Sequence, residues 1–325
     1  MEENNKLIKI SSITKKLVVG FLGAFLLLFL LFHMSANLLI LRNDGGEWYS
    51  AFCHFMGTNI FVKAFEIVLL GCLLLHIVLT IILWFQNRKA RGNVRYHQRS
   101  RTKTSTGSKL TILTGILILA FLVLHFCNFY FVKMNIVKGT YMVKTEDVQT
   151  QDVAVLQQTS QQYGMAPEDF VEQYMQQMET YASQLPQADS DKMRESIGNL
   201  KKAVPVVAFL NKAMENDMLS KDGKWIHHID KEDKAMLEDA LQAEVEPDFY
   251  YMARDLFKNP IYTLLYLLCF VILWIHLRHA FESVFQTWGL ENYKWYPIIK
   301  VFSILYAWGI CLGFTIVPIC VILFL

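Results

Sequence analysis

Four of the nine histidines, His33, His76, His125 and His276, stand inside long apolar runs, one to a run. Ionisable side chains at such depth are costly and mark function by default. An imidazole there can ligate a metal, carry a proton, or hydrogen-bond a neighbouring helix. A proton relay needs Asp, Glu or His partners along its path, and the runs contain only Glu66 and Glu282. Whether the four can act as ligands depends on the levels they share, and so on the elements that carry them.

Those elements are membrane helices. Of the 325 residues 54% are hydrophobic and 18% charged, whereas a soluble domain carries about 25% charged residues. Leu17 to Leu41, Phe61 to Phe85, Leu110 to Val132, Ile261 to Phe285 and Ile298 to Phe324 each supply the roughly 20 apolar residues that cross about 30 Å of hydrocarbon. The first run is too long for a secretory signal, and Ala36-Asn37-Leu38 is a poor cleavage site. The acids lie elsewhere: 22 of the 29 fall between Lys133 and Asn259, beside 14 basic residues. A net charge of +2, with bases and acids segregated along the chain, argues against a nucleic-acid binder and for a membrane protein with one polar domain.

Short-loop charge sets the orientation. Residues Gln86 to Ser108 hold Arg88, Lys89, Arg91, Arg95, Arg99, Arg101 and Lys103 with no acid, and the N-terminal tail holds Lys6, Lys9, Lys15 and Lys16. Both are expected to be cytoplasmic. The expected organisation is a cytoplasmic tail over 1–16, three spans over 17–132, an extracytoplasmic insertion over 133–259 and two spans over 260–325, with the C-terminus outside. The fold class is an all-α five-helix membrane bundle with a mostly helical insertion. In that insertion Phe170, Tyr174, Met178 and Tyr181 recur at helical spacing after Pro167, as do Met193, Ile197 and Leu200, and Asp230 can cap a helix containing Met236, Leu237 and Leu241. Its Gln and Asp richness also suits a partly disordered linker. The cysteines form no disulfide framework, CxxC site or CxxCH motif.

With the spans placed, the levels follow. His33 lies 16 residues after Leu17 and His125 lies 16 after Lys109, so both are about 24 Å from the cytoplasmic edge. His76 and His276 each lie 15 residues from the outer start, about 22 Å in and so near the cytoplasmic edge. Two pairs at two levels suit two bis-imidazole b-type haems stacked across the membrane. Zinc requires four ligands at one level. Gly20, Gly23, Gly71, Gly115, Gly309 and Gly313 give either close helix packing or room beside a macrocycle. Arg278 and Lys133 can meet haem propionates or snorkel to lipid headgroups, while Trp48, Tyr49, Tyr130, Tyr262, Trp288, Trp295 and Tyr296 form an aromatic belt.

The stretch IHLRHAFESVFQTWGLENYKWYP followed by GFTIVPI, within Trp274 to Pro318, resembles the fourth and fifth helices of the di-haem cytochrome b subunit of succinate:quinone oxidoreductases, in its five-span form. SKLTILTGILILAFLVLHF resembles that family's third helix and FHMSANL its first; the likeness covers the chain except for about 144–246. It implies that His33 and His125 ligate a distal haem b and His76 and His276 a proximal one. It further implies a multi-pass anchor in a bacterial cytoplasmic membrane, bound to a flavoprotein and an iron–sulfur protein of a succinate dehydrogenase or fumarate reductase. Such heterotrimers can pair into dimers. On this reading electrons pass between the iron–sulfur subunit and menaquinone, and the flavin site lies on another chain. The basic Gln86 to Ser108 loop and the Gln286 to Trp295 turn are expected to face the iron–sulfur partner, although lipid attraction also explains the loop. The long insertion departs from the family pattern. So do Trp274 and Ile275, where some relatives carry a glutamate, which removes that carboxylate from any proton route. Other uses of bis-His haems, in hydrogenase or formate dehydrogenase cytochromes b or in ascorbate or ferric reductases, fit the one-His-per-span order less well, and a haem-free receptor is the non-enzymatic alternative. Quinol oxidation needs a proton acceptor. The expected one is Glu66, about 8 Å below the outer edge, with Glu47 and His54 passing the proton onward.

Overall fold

The computed structural model describes residues 11–92, 106–184, 186–290 and 292–324. In chain order it comprises α1 (Ser12–Asn37), α2 (Glu47–Thr58), α3 (Ile60–Arg91), α4 (Thr106–His125), α5 (Phe131–Lys133), β1 (Tyr141–Lys144), α6 (Thr145–Val148), α7 (Gln151–Tyr163), α8 (Pro167–Ala182), α9 (Gln187–Glu215), β2 (Trp225–Ile229), α10 (Lys231–Leu241), β3 (Glu246–Pro247), α11 (Phe249–Lys258), α12 (Pro260–Thr287) and α13 (Tyr296–Phe324). A π-helical stretch, Phe126–Tyr130, joins α4 to α5. The protein is an all-α membrane protein. Among the described residues five helices are long and apolar enough to cross a membrane: Ser12–Leu41, Ile60–Arg91, Leu110–Lys133, Pro260–Thr287 and Tyr296–Phe324. Between 6% and 39% of each apolar window is buried within the protein, so the rest of that surface requires lipid.

The chain divides into two compact units. The first holds Met1–Leu41, Phe55–His125 and Arg254–Leu325. Within it α12 packs against α13, α4 and α1, and α1 also packs against α3 and α13. Side-chain oxygens start these helices by accepting the first free amide hydrogens: Ser11 from Thr14, Asn59 from Phe61 and Val62, and Asn259 from Ile261. Pro260 adds a preset φ at the first turn of α12. The α1 and α13 backbones come close because residue 313 is glycine; a Cβ there would overlap Met34. The Tyr306 hydroxyl then donates to the Leu27 carbonyl at 2.6 Å.

The second unit holds Arg42–His54 and Phe126–Ala253. The expected helices are present, and Asp230 caps α10 by accepting from the amides of Glu232 and Asp233. The insertion also contains a three-stranded antiparallel sheet, ordered β2-β1-β3, which was not expected from the sequence. Tyr141 pairs with Ile229 and Val143 with Ile226, with a bulge between, and Met142 pairs with Glu246. His228 sits in the bulge at φ 58°. Both faces of β1 are buried, so the polar alternation of a half-exposed strand is missing. Val153, Leu156, Val206, Leu210, Ile226 and Leu237 form one core with the sheet. Residues 42–54, between the first two spans, belong to this unit. Gly46 (φ 93°) lets the chain turn into α2, and a Cβ there would strike the Tyr250 ring.

Candidate functional site

Four helices deliver the four histidines. His33 lies one turn from the end of α1 and His125 ends α4; their ring centres are 5.9 Å apart, with the planes nearly perpendicular at 80°. Two imidazoles held about 2 Å from a shared metal have ring centres about 6 Å apart, so this pair has the spacing of two axial ligands. Phe29 stacks on His33 and Phe121 tilts against His125, each one turn earlier on its own helix. Phe314 packs on His33 from α13. These apolar rings fix the imidazoles' orientation and exclude water from them.

His76 of α3 and His276 of α12 lie within electrostatic reach of one another. A Cβ placed on Gly23 would be 3.9 Å from Cε1 of His76, and one placed on Gly115 would be 3.9 Å from Cε1 of His276. Along α1, Gly23 precedes His33 by ten residues, and along α4, Gly115 precedes His125 by the same ten. Each helix thus sets a bare backbone beside one pair and a ligand in the other, about 15 Å apart along the axis. This Gly-x9-His repeat was readable from the sequence but becomes meaningful only once the opposing rings are placed. The other glycines separate by role. Gly313 allows backbone approach, Gly20 faces Thr287 and Trp288, and Gly71 and Gly309 have open space beside them.

Polar groups around the rings were not foreseen. Thr114, buried on α4, places Oγ1 3.2 Å from Nδ1 of His276. Asn37 donates to the His33 carbonyl at 2.8 Å, and the same amide nitrogen lies 3.4 Å from His33 Nδ1. Among the described residues His76 Nδ1 is buried with no hydrogen-bond partner, as are the indole nitrogens of Trp274 and Trp288. Orphaned donors and acceptors in an apolar bundle are expensive and fit a site that receives a polar, metal-bearing group. No group of three or more His, Cys, Asp or Glu side chains is gathered as an ion cage among the described residues. The donor set is two imidazoles per position, with glycine or aromatic surfaces around them, and this fits haem b.

Glu66 is half-buried on α3, ten residues before His76. Its neighbour Phe65 meets Phe25 with ring centres 5.7 Å apart, which sets that turn against α1 between Gly23 and His33. Glu282 accepts from the wholly buried Ser303 hydroxyl at 3.1 Å. Glu47 and His54, expected as an onward proton route, are engaged inside the polar unit instead. The Glu47 carboxylate accepts the Asp222 amide at 3.0 Å, and His54 Nδ1 is 2.9 Å from Glu246 with its ring against Trp225. The reason is that residues 47–54 fold as part of α2 against this unit's own sheet edge. Burial pushes the Glu246 carboxyl up, against the opposing pull of His54, and burial likewise raises the Cys53 thiol and the Tyr49 phenol. Arg278 lays its guanidinium over Trp274, 6.0 Å from the ring centre, and Lys133 is half-buried at the end of α5. Arg88, Lys89 and Arg91 are exposed at the end of α3. Lys6, Lys9, Arg95, Arg99, Arg101 and Lys103 lie outside the described residues.

Compared with protein-family models, characterised proteins and solved structures, the chain matches none.

Proposed function

We propose that this chain is the membrane-anchor cytochrome b subunit of a succinate:quinone oxidoreductase, carrying electrons between an iron–sulfur partner and menaquinone through two bis-histidine haems b. The observation that carries the reading is the 5.9 Å spacing of His33 and His125, together with the glycine-flanked His76 and His276 rings about 15 Å away along α1 and α4. Bound haem supplies a one-electron carrier at each position. The protein's share is to hold each imidazole pair, to exclude water with Phe29, Phe121 and Phe314, and to offer backbone clearance at Gly23 and Gly115. The half-buried Trp288, whose indole nitrogen is buried without a partner beside Gly20, one turn before Gly23 on α1, would be a hydrogen-bond donor available to a group held by His76 and His276.

Quinone chemistry couples electrons to protons. Glu66, half-buried on α3 ten residues before His76 and so about 15 Å from it towards the outer level, is the carboxylate placed to take a proton from a quinol. The exposed Arg88, Lys89 and Arg91 at the end of α3 put positive charge where an iron–sulfur partner would dock from the cytoplasmic side. The fold of the polar unit has its own core and needs none of this chemistry to stand. The test is purification from native membrane, with a reduced-minus-oxidised visible spectrum, haem stoichiometry and identification of companion subunits. Two haems b with flavoprotein and iron–sulfur subunits are expected. A haem-free chain, or one accompanied by hydrogenase or formate dehydrogenase subunits, overturns the reading.

A further inference from the structure

We propose that the Thr114 hydroxyl selects the ligating tautomer of His276 and tunes the electron affinity of the iron held there; this rests on the haem reading above. Thr114 is 4% exposed and precedes Gly115, the residue that clears space for the same ring. Its Oγ1 lies 3.1 Å from the carbonyl oxygens of both Leu110 and Thr111, and 3.2 Å from His276 Nδ1. A hydroxyl has one hydrogen and two lone pairs. With two carbonyls of its own helix in reach, the hydrogen turns back to the helix, as buried threonines do. What faces His276 is therefore a lone pair. Nδ1 must carry the imidazole hydrogen and donate it, and Nε2 keeps the lone pair that a metal requires.

The second consequence is electronic. Donation from Nδ1–H raises the basicity of the ligating nitrogen, and a more basic ligand favours the ferric over the ferrous state. The environments of His76 and His33 differ from that of His276. His76 Nδ1 has no hydrogen-bond partner among the described residues, and the Asn37 amide nitrogen 3.4 Å from His33 Nδ1 already donates to the His33 carbonyl. Thr114 thus lowers the reduction potential at the His76/His276 position, the one whose ligand it touches.

The experiment is a potentiometric titration of the purified complex followed in the visible spectrum, comparing wild type with Thr114→Val and Thr114→Ser. Valine keeps the shape and removes the hydroxyl; serine keeps the hydroxyl. Thr114→Val should raise the midpoint of the His76/His276 haem, by up to about tenfold in its reduction equilibrium, or about 59 mV for one electron. Thr114→Ser should titrate as wild type, and the His33/His125 haem should be unchanged in both. Loss of the His76/His276 haem in Thr114→Val with retention in Thr114→Ser also supports the proposal, since the hydroxyl is then needed for ligation itself. An unchanged midpoint in Thr114→Val, equal shifts in both variants, or loss in both overturns it. A wild-type protein without haem fails the underlying reading, whereas haem present with an unmoved Thr114→Val midpoint fails this proposal alone.

Discussion

Replacing His33 with alanine removes one of two rings whose centres are 5.9 Å apart and leaves His125 as a single ligand facing Phe121 and open space where the imidazole stood. The His76/His276 position begins beside Gly23, ten residues away on the same helix, about 15 Å along the axis. Sites separated by more than about 7–10 Å with no shared partners act additively, so the second position should not register the change. Haem content should fall by half in His33→Ala, with one component of the low-temperature reduced-minus-oxidised spectrum lost. His125→Ala should lose the same component, and the His33→Ala/His125→Ala double variant should lose nothing further. His76→Ala and His276→Ala should remove the other component, while combining His33→Ala with His76→Ala should remove all haem. If His33→Ala and His76→Ala abolished the same component, the pairing of rings seen here would be wrong as a ligand assignment.

Three further outcomes follow from the same geometry. Glu66→Gln should keep both haems and flavin-linked succinate oxidation by an artificial acceptor yet lose quinone-coupled turnover; normal quinone turnover would remove Glu66 from the site. Gly115→Leu should push carbon into the space beside His276, at an overpacking cost of about 1–3 kcal/mol, and lose only the His76/His276 spectral component. Gly115→Ala, whose Cβ would sit at an ordinary 3.9 Å, should keep it; equal loss in both would contradict the clearance argument. Glu246 has its carboxyl raised above the unfolded value of about 4.3 by burial. The stability it contributes is then fully present below about pH 4.3 and is lost as pH rises through the folded value. Hydrogen exchange at the β1–β3 amides should accordingly show wild type weakening over that rise and Glu246→Gln weakening less, and superimposable pH profiles would refute the sign.

Much of this was legible without coordinates because membrane helices are set by composition over a stretch of residues. Hydrocarbon leaves no partner for a free amide, so five apolar runs have to be helices whatever surrounds them, and their ends follow from Ser11, Asn59 and Asn259. The levels of the four histidines follow from the fixed rise of those helices. Asp230 likewise announced α10, since a cap acts on amides two and three residues away. What only the tertiary structure decided involves contacts between residues distant in sequence. The sheet pairs Met142 with Glu246 and Val143 with Ile226, and its strands are short, with the central β1 buried on both faces, so no alternation is there to read. His54 and Glu47 look like solvent-facing loop groups until Glu246 and Asp222 arrive as partners from nearly two hundred residues downstream. Gly23, Gly115 and Thr114 are ordinary small residues in their own helices. They become part of the site because α3 and α12 bring His76 and His276 against them, and side-chain placement across a helix interface depends on the packing of both surfaces, which neither sequence segment contains alone.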